Sequence, residues 1–189
     1  MILRTGIIAL LFTLCLFGCS ATKPIVWKSQ DITFTDFKAF EIRPVFNATG
    51  KSVKQDILSF LTASLKEQFE LQNLQLTDAA QPTSRVLVVQ TDILVYTTSK
   101  QVTGKQVATA SGGAYRIAQC SLLARLINKS TSTVVARIST INEFGLKLQQ
   151  EYKTHEKILE KSAATVAKEV ARIMQPLETE PLDSVWQKF

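Results

Sequence analysis

A short apolar segment near the start of the chain, ending at a cysteine, most restricts what the rest can fold into. One positive charge, Arg4, precedes the uncharged run 6–17, in which Ile, Leu and Phe dominate. This run of about a dozen residues has the length of the apolar part of a secretory signal peptide. A membrane-spanning helix needs roughly 20 apolar residues. The segment therefore predicts export, and the folded part must come from the residues after it.

The segment ends with Leu16, Phe17, Gly18 and Cys19, and polar residues follow. A small residue directly before a cysteine, with leucine three positions before that cysteine, resembles the lipobox of bacterial lipoproteins. Phe17 is a less usual occupant of the second position. The resemblance implies cleavage before Cys19, diacylation of its sulfur by chains such as palmitate, and acylation of its new amino group. An ordinary signal peptide and a short uncleaved anchor are the alternatives.

A lipidated Cys19 has consequences for location. Each buried methylene contributes about 0.8 kcal/mol, so several acyl chains anchor a protein stably. Ser20 stands where some Gram-negative bacteria read Asp as an inner-membrane retention signal. In a Gram-negative host, the resemblance therefore implies attachment to the outer membrane with the domain facing the periplasm.

Composition and cysteine usage fit an exported domain. The chain has 189 residues, of which 46% are hydrophobic and 20% charged, and this predicts one packed domain. Its net charge of +6 is scattered, so we expect no nucleic-acid partner, although anionic lipid or acidic envelope polymers would suit it. Cys15 leaves with the leader and Cys19 takes the lipid. Cys120 then stays alone, and we expect it to be a buried small hydrophobe rather than a nucleophile.

Hydrophobic periodicity divides the chain into four parts. They are a lipoprotein signal peptide (1–18), a lipidated tether (19–29), a single α/β domain (30–175) and an extended C-terminal tail (176–189). Within the domain the order is strand, helix, strand, strand, strand, helix. Two amphipathic helices beside half-buried strands predict an α/β (α+β) two-layer sandwich, with a mixed sheet of three to five strands and helices on one face.

Several details of these elements are testable against a structure. We expect Ser52 to be the N-cap of a helix that ends near Gln72. The last helix should cover about 154–174. Alternation predicts two sets of residues on common faces: Leu87, Val89, Ile93 and Val95 pointing inward from strand 85–96, and Phe40, Ile42, Pro44 and Phe46 sharing one face of 38–46.

The pattern over 34–174 resembles a known family. The residues that carry the resemblance are the strand 40–45, the helix of Leu58, Leu61 and Leu65, the strand 86–94, the Gly112–Gly113 loop, the paired strands 118–126 and 134–141, and the last helix. This looks like a family of small bacterial lipoproteins with a domain of unknown function. More distantly, its element order is similar to the periplasmic domain of curli-secretion lipoproteins and of lipoproteins that activate peptidoglycan synthases. The resemblance implies a fold and an envelope setting, without any catalytic residue.

Single residues with possible chemistry have ordinary structural interpretations. His155 is the only histidine and lies among charged residues near a helix start, which favours a solvated side chain. Ser111 lacks the first glycine of G-x-S-x-G, and Lys105 lacks the flanking residues of a phosphate loop. Asp92 should face solvent or pair with Arg116 or Arg125. We therefore expect no enzyme, cofactor or metal site.

Two functional hypotheses remain open at this stage. The first is a non-enzymatic binding or assembly module of a larger envelope complex for secretion, transport or cell-wall work. The second is a carrier that holds a small ligand or lipid between its helices and sheet. An enzymatic role would have no named residue behind it. Trp186 and Phe189 in the tail would dock either on the domain itself or on a partner.

Overall fold

The computed structural model describes residues 23–77, 85–101, 116–146 and 151–175. The predicted signal peptide, Cys19 and the tail 176–189 lie outside these residues. The strands and helices are β1 (Ile25–Lys28), β2 (Ala39–Ile42), β3 (Phe46–Asn47), α1 (Gln55–Leu71), β4 (Val86–Gln101), β5 (Arg116–Asn128), β6 (Val134–Leu146) and α2 (Glu151–Met174). A short 3-10 helix, Phe34–Asp36, precedes β2.

These strands form one mixed sheet of six strands in the order β1-β6-β5-β4-β2, with β3 also paired to β4. β4, β5 and β6 form an antiparallel meander, whereas β2 and β3 run parallel to β4. Both helices pack on one side of the sheet. The predicted fold class is therefore confirmed. The sheet has more strands than the predicted three to five because Ile25–Lys28, in the predicted tether, pairs with β6, and Phe46–Asn47 adds a two-residue strand.

The core lies between the helices and the inner face of the meander. Side chains at helical spacing on α1 and α2 are almost fully excluded from water, as alternate residues of β4, β5 and β6 are. The rings of Phe40 on β2 and Phe69 on α1 meet edge to face, with centroids 5.5 Å apart. The last helix buries an apolar stripe: Leu159, Ala163, Val166, Val170 and Ile173.

A β-bulge in β4 changes which residues face the core. Ile93 pairs with Leu122 of β5, but the next paired residue is Val95, opposite Ser121. The extra residue, Leu94, reverses the alternation. Val95 therefore points away from the helices and is exposed, so its predicted inward orientation was wrong. Tyr96 takes the inward position instead.

Two further expectations about the first half of the domain were wrong. Phe46 is 63% exposed on the short strand β3, because neither of the two described helices covers the side of the sheet to which it points. Helix α1 is capped by Lys54 without a side-chain hydrogen bond, rather than by Ser52. The helix starts later because a turn comes first: Asn47 Nδ2 donates to the carbonyl of Lys51 at 2.7 Å.

Truncating the aromatic pair tests the core. Phe69→Ala should lower the free energy of unfolding by about 3 to 5 kcal/mol, since it removes a buried ring and leaves a cavity. Phe46→Ala should change it by no more than about 0.5 kcal/mol, since this ring is largely in water. Urea denaturation followed by circular dichroism measures both. Equal losses for the two variants would contradict the assignment of the core.

Candidate functional site

Only part of the residues singled out from the sequence lie in the described structure. Cys19, the predicted lipid attachment site, lies outside it, as do Lys105, Ser111, Trp186 and Phe189. Asp92, Cys120 and His155 are described, and they fall in three different surroundings. Asp92 lies on the sheet face away from the helices, Cys120 in the core, and His155 beside a cleft near the start of α2.

The sheet face away from the helices contains ion pairs at its β2–β4–β5 side. The carboxylate of Asp92 contacts the guanidinium of Arg125, and both side chains are more than half buried. Asp92 is opposite Leu123 on β5, so Arg125 is its diagonal neighbour two residues along the strand. Of the two partners predicted for Asp92, the structure therefore selects Arg125.

A second ion pair lies on the same face. Glu41 of β2 is buried, and its Oε2 lies 2.9 Å from Nζ of Lys129, which follows β5. Nε of Arg43 lies 3.6 Å from Oε1 of the same carboxylate. A charge that is removed from water requires such partners. The two ion pairs fix β2, β4 and β5 on the side that the helices leave uncovered.

Exposed apolar side chains lie beside these charges. Val95, Ser121 and Ile141 occupy one row across β4, β5 and β6, and the two large members of the row are exposed. Phe46 of β3 pairs with Asp92 of β4, and this pair belongs to the next row on the same face. We call this surface, defined by Phe46, Val95 and Ile141, the open face. It consists of apolar side chains bordered by ion pairs.

The edge of the sheet formed by β1 combines exposed apolar side chains with a basic residue. All four residues of β1 are exposed, including Ile25 at 72% and Trp27 at 51%. The guanidinium carbon of Arg137 lies 5.6 Å from the centroid of the Trp27 ring, in a cation–π contact. We call Ile25, Trp27 and Arg137 the β1 edge. The sequence interpretation missed it because residues 19–29 were taken as a tether, although Ile25, Val26 and Trp27 have high strand propensity.

A cleft of about 600 Å³ opens where the first turns of both helices meet the β4 bulge. Its apolar lining comes mainly from α1 and from Leu159 of α2. The Tyr96 hydroxyl lies 3.3 Å from Nδ1 of His155 at the cleft. Asp56 and Glu156 also line it, so it has apolar walls and a polar mouth. The predicted solvated His155 is instead half-buried and has a partner.

Burial controls the ionisation of the groups behind this cleft. Burial first, and then the nearby Cys120 and Asp56, together raise the pKa of Tyr96 to about 12. Burial raises the pKa of the Cys120 thiol to about 11, although a hydrogen bond with Ser162 opposes the shift. Ser162 donates to the carbonyl of Ile158 at 2.8 Å. Cys120 is therefore a protonated core side chain at neutral pH, and a thiolate nucleophile is not available there.

The described residues provide neither a cluster of metal ligands nor a membrane-spanning helix. No three side chains of His, Cys, Asp or Glu come together there in an arrangement that would hold a metal ion. Neither helix described by the structure combines the length and the apolar character needed to cross a membrane.

Comparisons with known proteins give distant structural similarity only. No family model matches the sequence, and no curated protein matches it. Among solved structures, the chain is similar to the PelC dodecamer from Paraburkholderia phytofirmans (TM-score 0.47, 11% identity, covering 78% of this chain and 97% of that chain). It is also similar to a minor lipoprotein from Acinetobacter baumannii (TM-score 0.45, 12% identity, 73% and 90%). A DUF4136 family protein from Bacteroides thetaiotaomicron gives a TM-score of 0.42 at 12% identity, covering 82% and 98%.

These neighbours include a lipoprotein and a member of a family of unknown function. All three are distant from this chain, with 11 or 12% identity. Because the TM-scores are below 0.5, the similarity defines no function for this chain.

The raised pKa of Cys120 predicts a loss of stability at high pH. A group whose pKa is higher in the folded state stabilises the fold below its unfolded pKa, here 9.0, and this stabilisation disappears as pH rises through about 11. The free energy of unfolding should therefore fall by about 2 kcal/mol over that interval because of Cys120. Urea denaturation at pH 8 to 11 measures it. In Cys120→Ala the free energy of unfolding should fall less over this pH interval. An unchanged dependence on pH would contradict the raised pKa of Cys120.

Removing one member of the Asp92–Arg125 pair should destabilise the sheet. Arg125→Ala leaves a buried carboxylate without its cation, and we expect a loss of about 1 to 3 kcal/mol in the free energy of unfolding. Adding Asp92→Asn should restore part of the loss, because the unpaired charge is then gone. Arg43→Ala, at a mostly exposed side chain, should cost no more than about 0.5 kcal/mol. No recovery in the double variant would show that the ion pair is not the cause.

Proposed function

We propose that this chain is a membrane-anchored envelope lipoprotein that acts as a non-enzymatic binding or assembly module of a larger envelope complex. Cys19 attaches it to the outer membrane, and the domain faces the periplasm. The complex serves secretion, transport or cell-wall synthesis. The proposal rests above all on the open face, which is the part of the described surface best suited to binding a protein.

The open face has the composition of a protein interface. Stable interfaces bury about 800 Å² on each partner, and their centres are apolar while their rims are polar. Here exposed Phe46, Val95 and Ile141 lie beside the ion pairs of Asp92 and Glu41. The face is built on paired strands, so its side chains are held in place before a partner arrives. Such preorganisation reduces the entropic cost of binding.

The location comes from the sequence and not from the fold. The leader and the four residues ending at Cys19 support lipid anchoring, and Ser20 supports the outer membrane. An exported, anchored domain with a helix-free sheet face has a fixed place and a surface for partners. Both properties suit an assembly module.

A charge placed on the open face tests the proposal. The full-length protein is purified by an affinity tag from membranes solubilised in mild detergent. We expect a specific co-purified envelope protein, and we expect Val95→Arg to reduce its recovery at least about tenfold, because a charge in an apolar interface centre costs more than 1.4 kcal/mol. Leu71→Arg is the matched control, since Leu71 is 64% exposed at the end of α1 on the helix side.

Two results would overturn the assembly role. One is recovery of the lone protein under these conditions. The other is equal recovery of the partner with Val95→Arg and Leu71→Arg, which would place the binding surface elsewhere.

The anchor is tested separately. Cys19→Ala removes the acylated thiol, so the precursor should stay uncleaved and lack lipid. Metabolic labelling with a palmitate analogue and electrophoretic mobility measure both effects. A Cys19→Ala protein that is still cleaved and fractionates as a mature membrane protein would contradict the lipobox interpretation.

The cleft supports a second candidate function, a carrier of a small ligand or lipid. The carrier hypothesis placed the ligand between helices and sheet, but side chains with almost no exposure occupy that space. The apolar cleft at Phe60 and Tyr96 is the better position, and about 600 Å³ is within the usual range for ligand sites. Native mass spectrometry of the protein purified from its membrane distinguishes the two functions, since a carrier retains a bound small molecule and an assembly module does not require one.

A further inference from the structure

The chain between the proposed anchor and the first strand is short. Six peptide steps separate Cys19 from Ile25, and a fully extended chain covers at most about 3.6 Å per residue. If Cys19 is acylated, as proposed above, β1 therefore begins no more than roughly 22 Å from the membrane. β1 is thus the strand that follows the acylated cysteine most closely in the sequence. The side chains of β1 must therefore be compatible with a position near the membrane.

The exposed side chains of β1 are of the kind that lie at a membrane–water interface. Trp27 is half exposed and Ile25 is mostly exposed. Tryptophan concentrates at the level of the lipid head groups, where its ring meets apolar chains and its N–H meets water. In a protein surrounded only by water, exposure of these two side chains next to each other on one edge has no stabilising effect.

The charges around the edge match the sign of lipid phosphates. Lys23 precedes β1, Lys28 ends it, and Arg137 lies over the Trp27 ring, and all three are exposed. Asp31 is the nearby acidic residue in the segment that follows β1. Basic side chains at a membrane surface are attracted to anionic head groups, and a guanidinium binds phosphate oxygens through two hydrogen bonds.

We propose that the β1 edge lies in the head-group region of the membrane to which Cys19 is anchored. Trp27 and Ile25 enter the interface, and Lys23, Lys28 and Arg137 contact lipid phosphates. The sheet then stands with β1 towards the membrane. β3, at the other side, is four strand spacings away and therefore roughly 19 Å farther out. Ile25 and Trp27 lie on the same side of the sheet as the open face, so the part of that face at β3 and β4 is farther from the membrane and is left accessible to a protein partner.

Tryptophan fluorescence tests this orientation in the intact lipoprotein. The chain has two tryptophans, so Trp186→Phe leaves Trp27 as the only one. The full-length acylated protein is reconstituted into vesicles of phosphatidylethanolamine and phosphatidylglycerol, with or without brominated acyl chains. We expect a blue-shifted emission and a loss of about half the Trp27 intensity with brominated lipid, as for an interfacial ring.

A matched control places the same reporter on the same face but at the opposite edge of the sheet. The variant that combines Trp27→Phe, Phe46→Trp and Trp186→Phe has its single tryptophan at the exposed position on β3. Its emission should be that of a ring in water, and brominated lipid should leave it unchanged. Quenching of both reporters to the same extent would overturn the proposed orientation.

Flotation of the same samples separates this inference from the proposed anchor. Protein that floats with the vesicles while Trp27 stays unquenched overturns the membrane contact of β1 and leaves the anchor intact. Protein that does not float overturns the anchor and the contact together. A Trp27 that is shielded in native membranes but not in vesicles also overturns the inference, because a protein then covers the edge.

Discussion

The apolar layer between two helices and the inner face of β4, β5 and β6 is the interaction on which the rest of the structure depends. Both helices lie on the same side of the sheet, so this layer contains nearly all of the well-buried apolar side chains. Among the described residues, its formation leaves the other face without a helical cover. That face therefore relies on ion pairs, of which Asp92–Arg125 is one, and it presents apolar residues to its surroundings. The asymmetry of the sheet and the exposure of apolar side chains on the open face have the same origin.

Much of the fold could be predicted from periodicity because long amphipathic elements repeat their signal many times. The last helix has its buried stripe at every turn, and strands β5 and β6 alternate over most of their length. Short strands contain too few repeats of the hydrophobic pattern to be predicted in this way. β1 has four residues and β3 has two, so neither stands out from the connecting segments. Both of these short strands lie at the edges of the sheet.

Features that depend on a single residue escaped the sequence interpretation for a different reason. A prediction from alternation assumes that successive side chains of a strand point to opposite faces of the sheet. The bulge at Leu94 breaks this alternation, and no glycine or proline in the sequence indicates the bulge. The reversal places Tyr96 beside His155 and opens the cleft. Nothing in the order of the residues could have brought these two side chains together, because 59 positions separate them. The partner of Asp92 was easier to predict, because only a few cationic residues lie on the neighbouring strands.

The pairing of β1 with β6 also determines how the domain would respond to mechanical force. A load between a membrane anchor and a complex bound to the open face must pass through β1, since that strand joins the anchor to the sheet. β1 contributes only four paired residues and has a neighbour on one side alone. It would detach from β6 before the meander and its helices are disturbed, and the detached segment would lengthen the connection by roughly 13 Å. A module built in this way yields at its edge strand while its core stays folded.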